Sequence, residues 1–327
     1  MWKLAGKTMG TTYSVVAVPA TSSSESDRAA LHRAIDAVLE QVNDDMSTWR
    51  KDSDLSKFNA HQATTPYAAR PSTAKVVQLS LDLADKTDGA FDVTLGPLIR
   101  LWGFDRDGRR QAPPDDDVVQ NARARVGWKK VRVEGTTLRK TRPDVDVNLS
   151  GVAKGYGVDE VVRLLQQRGV KAALVEIGGE VRSFGRKEGG KSFTVGISLP
   201  DATAKVSEMS HALPLDDKAM ATSGDYRNFF ESNNKRYSHI IDPTTGNPVD
   251  HDLVSASVVA PDCATADGLA TAMLVMGPTK GKAVLESLDG VDGLFIRKTK
   301  DGFVVDKTAG FPKTHDFLPA PSRTSAQ

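Results

Sequence analysis

What most constrains this chain is the irregular way it interleaves two hydrophobic periods. Residues 12–18 alternate and β-branch like a strand. After a polar stretch, PATSSSESD, apolar residues recur at Leu31, Ile35, Val38, Leu39, Val42 and Met46, which predicts an amphipathic helix over 30–46. A second helix is expected from a cap at Ser72 through Ala84, stopped near Gly89. Residues 103–117, GFDRDGRRQAPPDDD, read as a surface excursion. Residues 129–134 and 137–140 read as a hairpin across Gly135, and 145–147 as a short strand. Ser150 is a candidate N-cap for a helix that stops at Gly169, and 172–177 reads as a buried strand ending in Gly178-Gly179. The second half is mostly short strands, at 193–199, 211–215, 236–241 and 253–260. Helices are expected over 264–276 and 279–288, then two strands finishing near Val305. A doubly wound α/β sheet needs a regular βαβ rhythm, and this pattern has none. The expected fold class is α+β, with mixed or antiparallel sheets and packed helices. Residues 1–312 are expected to form one domain of two intimate subdomains, and 313–327 a poorly ordered tail.

The totals narrow the function. A 327-residue chain with 39% hydrophobic and 26% charged residues can bury a sizeable core. A net charge of +1 gives no broad field for nucleic acid or an anionic membrane, so an anionic ligand would need a local cluster. One cysteine, Cys263, allows neither an internal disulfide nor a thiolate zinc cluster. There is no apolar run of 18 residues for a transmembrane helix. No signal peptide precedes KTMGTTYSVVAV, and the expectation is of a chain trimmed of any export signal.

One motif is a decoy. Residues 185–192, GRKEGGKS, fit the phosphate-binding pattern G-x-x-x-x-G-K-[ST]. That loop must open a helix, so that amides and dipole converge on phosphate. Here FTVGISLP follows, which reads as a strand, so a solvated hairpin turn is expected.

Several other segments carry candidate chemistry. In residues 146–160, DVNLSGVAKGYGVDE, a turn leads into a helix, with Lys154 one turn in and glycines at 151 and 155. Free amides and an ammonium there make either a phosphate seat or a strand–turn–helix joint with packing glycines. In 262–274, DCATADGLATAML, Asp267 and Thr271 share a helix face. A carboxylate and a hydroxyl suit Mg²⁺, although an exposed Asp beside a back-bonded Thr would look the same. The small and apolar neighbours argue that Asp267 is buried and needs a partner. In 236–249, RYSHIIDPTTGNPV, His239 is either a proton carrier or a packed strand histidine. Trp49, after the first helix, could stack on a planar ring or serve the core. Asp92 sits among apolar neighbours in DGAFDVTLGPLIRLWG, and Thr222 and Ser223 are donors where a strand breaks at Gly224.

The order of these segments resembles the ApbE family of flavin transferases. The matching pieces are GTTYSV, MSTW…DLSKFN, GAFDVTLGPL, LSGVAKGYGVD, VEIGGEVRSFG, ATSGDYRNFF, HIIDPTTGNPV and ATADGLATAMLVMG, from Gly10 to Gly277. The resemblance implies an α+β fold that binds FAD in a cleft between subdomains, with Mg²⁺ at the pyrophosphate. It implies metal ligation by Gly151 (its carbonyl), Asp267 and Thr271. It implies FAD contacts from Met46, Trp49, Ala90, Phe91, Asp92, Asn148 and Lys154, with Asp159, Glu176, Gly178, Thr222, His239 and Ile241 as further candidates. The family often has Tyr at the place of Trp49, and some members Asp at the place of Asn148. The expected reaction moves FMN from FAD to a threonine or serine hydroxyl of an acceptor protein and releases AMP. Lys154 and Asp267 would stabilise charge, and His239 would act as base. The acceptor is expected to carry a Ser/Thr-Gly-Ala-Thr segment, in a membrane-bound redox subunit. The family is typically exported and lipid-anchored, which implies a periplasmic location at the inner membrane. The rival readings are an FAD pyrophosphatase, releasing FMN and AMP, and a non-catalytic FAD-binding protein.

Overall fold

The computed structural model describes residues 1–318, apart from 21–23, 106–109, 111, 202–207, 227 and 234. Its frame is an eight-stranded sheet: β1 (Trp2–Thr8), β2 (Thr11–Val18), β3 (Ala172–Ile177), β4 (Glu180–Phe184), β5 (Ala219–Gly224), β6 (Leu253–Ala260), β7 (Asp292–Thr299) and β8 (Gly302–Lys307). Spatial order equals chain order, and every neighbouring pair is antiparallel. The helices lie in long connections rather than in parallel crossovers, so the class is α+β.

Four helices matter for the site: α1 (Glu25–Met46), α2 (Pro71–Lys86), α3 (Ala153–Gln167) and α4 (Cys263–Glu286). Helix α1 packs on α3, α3 covers β3 and β4, and α4 covers β5 and β6. The interface of α1, α3 and β3 is a cluster that includes Leu31, Ile35, Leu39, Val158, Val162, Leu165 and Val175. The other face of the sheet meets a small sheet formed by Phe193–Ser198, Met209–Leu215 and His315–Asp316. Strand β6 is therefore covered on both sides, and all eight of its residues are buried.

Several local expectations need correction. Helix α1 begins five residues before Ala30, because Ser24 and Asp27 form a capping box ahead of the first apolar residue. Ser72 does not cap α2. Pro71 opens that helix, and the Ser72 hydroxyl donates to the buried Asp45 carboxylate. Residues 145–147 join no strand; the Asn59 side chain donates to the Val147 carbonyl at 2.8 Å and accepts from its amide at 2.9 Å. Ser150 lies in a turn, and α3 starts at Ala153 with no side-chain cap. The two expected late helices are both present within α4, which is two helical pieces separated at Gly277, whose backbone is non-helical (φ +74°) just before Pro278. Past Pro312, His315–Asp316 pairs with Met209–Leu215, while 319–327 lies outside the described residues. Part of the expected excursion at 103–117, residues 106–109 and 111, also lies outside them. The 185–192 segment is a turn with glycines at positive φ, followed by the strand Phe193–Ser198, and no helix follows it.

Candidate active site

One cleft of about 360 Å³ opens where the N-terminal end of α3, the first turns of α4 and the C-terminal end of β5 meet the loops around Phe91 and His239. That volume lies within the range of small-ligand sites. Of the sequence candidates, Ala90, Phe91, Asp92, Asn148, Gly151, Lys154, Gly178, Thr222, His239, Ile241, Asp267 and Thr271 line it.

Two antiparallel helices build one wall. A side chain at Gly155 would overlap the Cys263 carbonyl, so glycine is what lets α3 and α4 touch. That approach lets the Gly155 amide donate to Asp267 Oδ2 at 3.0 Å. The other Asp267 oxygen stands 3.6 Å from Lys154 Nζ. One turn further, a Cβ on Gly151 would lie 3.3 Å from the Thr271 hydroxyl, which itself meets Ser223 Oγ at 3.3 Å. A buried carboxylate, a hydroxyl and the backbone of the Gly151 turn therefore share one end of the cleft. This is a hard, oxygen-only donor set with one formal charge, the kind that suits Mg²⁺ bound together with substrate phosphates. Among the described residues there is no cluster of three His, Cys, Asp or Glu side chains for a softer metal.

Lys154 is the half-buried cation of this wall. Burial opposes its charge, but Asp267 and Glu180 outweigh burial and hold its pKa above the usual lysine range. Glu180, at the start of β4, lies 3.2 Å from Lys154 Nζ. Its burial and the nearby Asp267 push its pKa up to about 8. Glu180 Oε2 has no hydrogen-bond partner among the described residues. Sequence reasoning misses Glu180. Its only signal is an acidic residue directly after the Gly178-Gly179 turn, opening a strand otherwise almost wholly buried.

The opposite wall is made of loops. Asp92 accepts from the Thr94 amide (2.7 Å), the Thr94 hydroxyl (2.6 Å) and the Trp128 amide (2.9 Å). Burial raises its pKa against those bonds. Its carboxylate thus organises the loop that presents Ala90 and Phe91. The Asn148 amide donates to the Val93 carbonyl at 2.7 Å, and its side chain caps the Ser150 amide at 2.9 Å.

His239 follows the strand Lys235–Ser238. Its Nδ1 lies 2.9 Å from the Asn228 carbonyl, and Phe104 packs against the ring at 6.2 Å, edge to face. A carbonyl can only accept, so Nδ1 carries the proton and Nε2 holds the lone pair. Burial lowers the His239 pKa below 6.5, although the Asn228 bond and Asp225 oppose this. The ring is neutral at pH 7 and able to take a proton at Nε2.

Four candidates lie elsewhere. Met46 is buried in the core at the end of α1, among Leu55, Phe58 and Val77. Trp49 is 66% exposed on the following loop. Glu176 closes the glycine turn by accepting the Gly179 amide at 2.8 Å. Asp159 is buried beneath the start of α4 and accepts from the Cys263 and Ala264 amides.

An antiparallel α+β architecture of this kind is shared with solved flavin transferases. The structure is similar to the flavin transferase ApbE of Vibrio cholerae, with a TM-score of 0.86 and 42% identity over 95% of this chain and 97% of that one. It is also similar to the apo flavinyl transferase ApbE of Pseudomonas stutzeri, with a TM-score of 0.85 and 36% identity over 94% of each. The FAD:protein FMN transferase of Vibrio cholerae serotype O1 is 44% identical over 300 residues, covering 92% of this chain and 88% of the relative. The ApbE family pattern matches residues 9–295, and the chain belongs to the ApbE family.

Proposed function

We propose that this chain is an FAD:protein FMN transferase that moves FMN from FAD to a serine or threonine hydroxyl of an acceptor flavoprotein and releases AMP. One observation carries the reading: Lys154, Asp267 and Thr271 converge on one wall of the cleft that His239 lines from the other side. The Vibrio cholerae serotype O1 relative is named an FAD:protein FMN transferase, and the two solved structures are named flavin and flavinyl transferases.

In this reading the acceptor oxygen attacks the FMN-side phosphorus of FAD. A new phosphoester bond forms, the pyrophosphate P–O bond breaks, and the bridging oxygen leaves with AMP. His239 Nε2 takes the hydroxyl proton, since its Nδ1 proton is held by Asn228. Lys154 sets a full positive charge beside the transferring phosphate. Mg²⁺, held by the Gly151 carbonyl, Asp267 and Thr271, supplies charge against the pyrophosphate oxygens when bound. Gly178 and Asn148 shape the cleft edge, and Phe91 offers an apolar surface for the flavin.

The reading includes an acceptor with a Ser/Thr-Gly-Ala-Thr segment in a membrane-bound redox subunit. With that acceptor goes a periplasmic, lipid-anchored setting for the full-length precursor. What supports both is the family resemblance. The test is incubation with FAD and Mg²⁺, with and without an acceptor carrying that segment. Covalent flavin fluorescence on the acceptor is the expected result. Release of FMN and AMP without labelling would make the protein an FAD pyrophosphatase, and unchanged FAD would leave a binding protein.

A further inference from the structure

The contacts that α3 and the turn before it make with α4 repeat at four-residue spacing along both segments, in opposite directions. Gly151 faces Thr271. Gly155 donates its amide to Asp267. Asp159 accepts the Cys263 amide at 3.0 Å and the Ala264 amide at 2.9 Å. These are three rungs of one antiparallel ladder. The first two hold the proposed cation ligands. The third, Asp159, contributes no atom to the cleft.

The third rung is a built one. Asp159 is 7% exposed, and Arg182 on β4 meets its Oδ1 at 2.5 Å. The start of α4 also has its own cap: the Asp262 side chain accepts the Thr265 amide at 2.8 Å and the Thr265 hydroxyl at 2.9 Å. The first-turn amides of α4 are therefore shared between a local carboxylate and one reaching over from α3. Only the second ties the position of α4 to α3 and the sheet.

We propose that Asp159 is a positioning residue for the cation site: by pinning the first turn of α4 to α3 it sets the separation of Asp267 and Thr271 from the Gly151 carbonyl. The inference rests on the cation site proposed above. A hydrogen-bonded group behind a metal ligand typically changes affinity by about 10–100-fold when removed. The ladder transmits position in the same way, through Gly155, where no side chain cushions the contact.

The test is Mn²⁺ binding to the FAD-free protein, read by electron paramagnetic resonance of the free ion, in wild type, Asp159→Asn, Asp262→Ala and Asp267→Ala. Asp159→Asn is expected to weaken binding about tenfold. Asp262→Ala removes a cap of the same helix without touching α3, and is expected to stay within about twofold of wild type. Equal weakening by Asp159→Asn and Asp262→Ala would reduce Asp159 to a helix cap and overturn the proposal. So would binding by Asp159→Asn within twofold of wild type. If Asp159→Asn does not fold, Arg182→Met carries the test, since it loosens the carboxylate while keeping both amide bonds. A weakening of about threefold is then expected, and unchanged affinity overturns the proposal. Failure of the cation site itself looks different: wild type does not bind Mn²⁺, or Asp267→Ala binds as well as wild type.

Discussion

Two segments of this chain set glycines beside a lysine, and only one of them makes a site. Residues 149–155, LSGVAKG, lead into α3, and Lys154 lies between the buried carboxylates of Glu180 and Asp267. Residues 185–192, GRKEGGKS, lead into a strand, with Gly189, Gly190 and Lys191 exposed. Lys187 rests its ammonium over the Phe193 ring at 5.4 Å. By pattern alone the second is the better phosphate loop. What separates them is what packs behind: a second helix brings acidic and hydroxyl groups to the first, and solvent surrounds the second. A lysine gains a specific role when burial and fixed partners restrict where its charge can act.

Substitutions can break or sharpen this comparison. Asp267→Ala should have the largest effect, a loss of about 10³-fold in FMN transfer, the upper range for one charge-stabilising group. Covalent flavin on an acceptor, followed by fluorescence after denaturing electrophoresis, measures it. Full activity in that variant would dissolve the helix wall as a site. His239→Gln should lower the rate about 10²-fold, as expected for loss of a general base.

The pH profile sharpens the role of His239. Its folded pKa lies below 6.5, so wild-type kcat/KM should fall on the acid side of that value, where the ring is protonated. The variant should lose that limb. The sign for stability is the same. His239 and the buried His211 both have folded pKa values lowered, chiefly by burial. As pH falls below 6.5 the unfolded chain takes up protons first, so the melting temperature should drop, and less so in His211→Gln.

Gly155→Ala should cost about 1–3 kcal/mol in urea unfolding, because its methyl meets the Cys263 carbonyl. Lys191→Met marks the smallest effect. Transfer should stay within about twofold and stability within about 0.5 kcal/mol, as for an exposed position. A larger loss of transfer would give the look-alike loop a function and end the contrast.

Much of this was legible before the structure. The strand at β2, the hairpin across Gly135, the buried strand β3 and the central strand β6 follow from alternation, β-branching and turn residues. Asp267 and Thr271 share a face because a helix places i and i+4 together, whatever surrounds it. The misses have a common cause, which is groups acting across long sequence separations. The 145–147 segment reads as a strand, but the amide of Asn59 takes the place of a neighbouring strand. Ser72 reads as a cap, but Asp45, buried at 2% exposure, claims its hydroxyl along with the Arg70 guanidinium. Asp159, a candidate contact only by resemblance, is absent from the cleft lining and holds two amides more than a hundred residues away.

The sequence by itself determined the class of fold and which residue types were available for the chemistry. Local spacing fixes helix faces and strand alternation, and those depend only on near neighbours. Tertiary structure alone decided that Glu180 shares Lys154 with Asp267 and that Asn228 sets the tautomer of His239. Each depends on burial and on partners brought together by packing. Solvent exclusion is what turns an ordinary lysine, glutamate or histidine into a group with fixed partners and a shifted pKa.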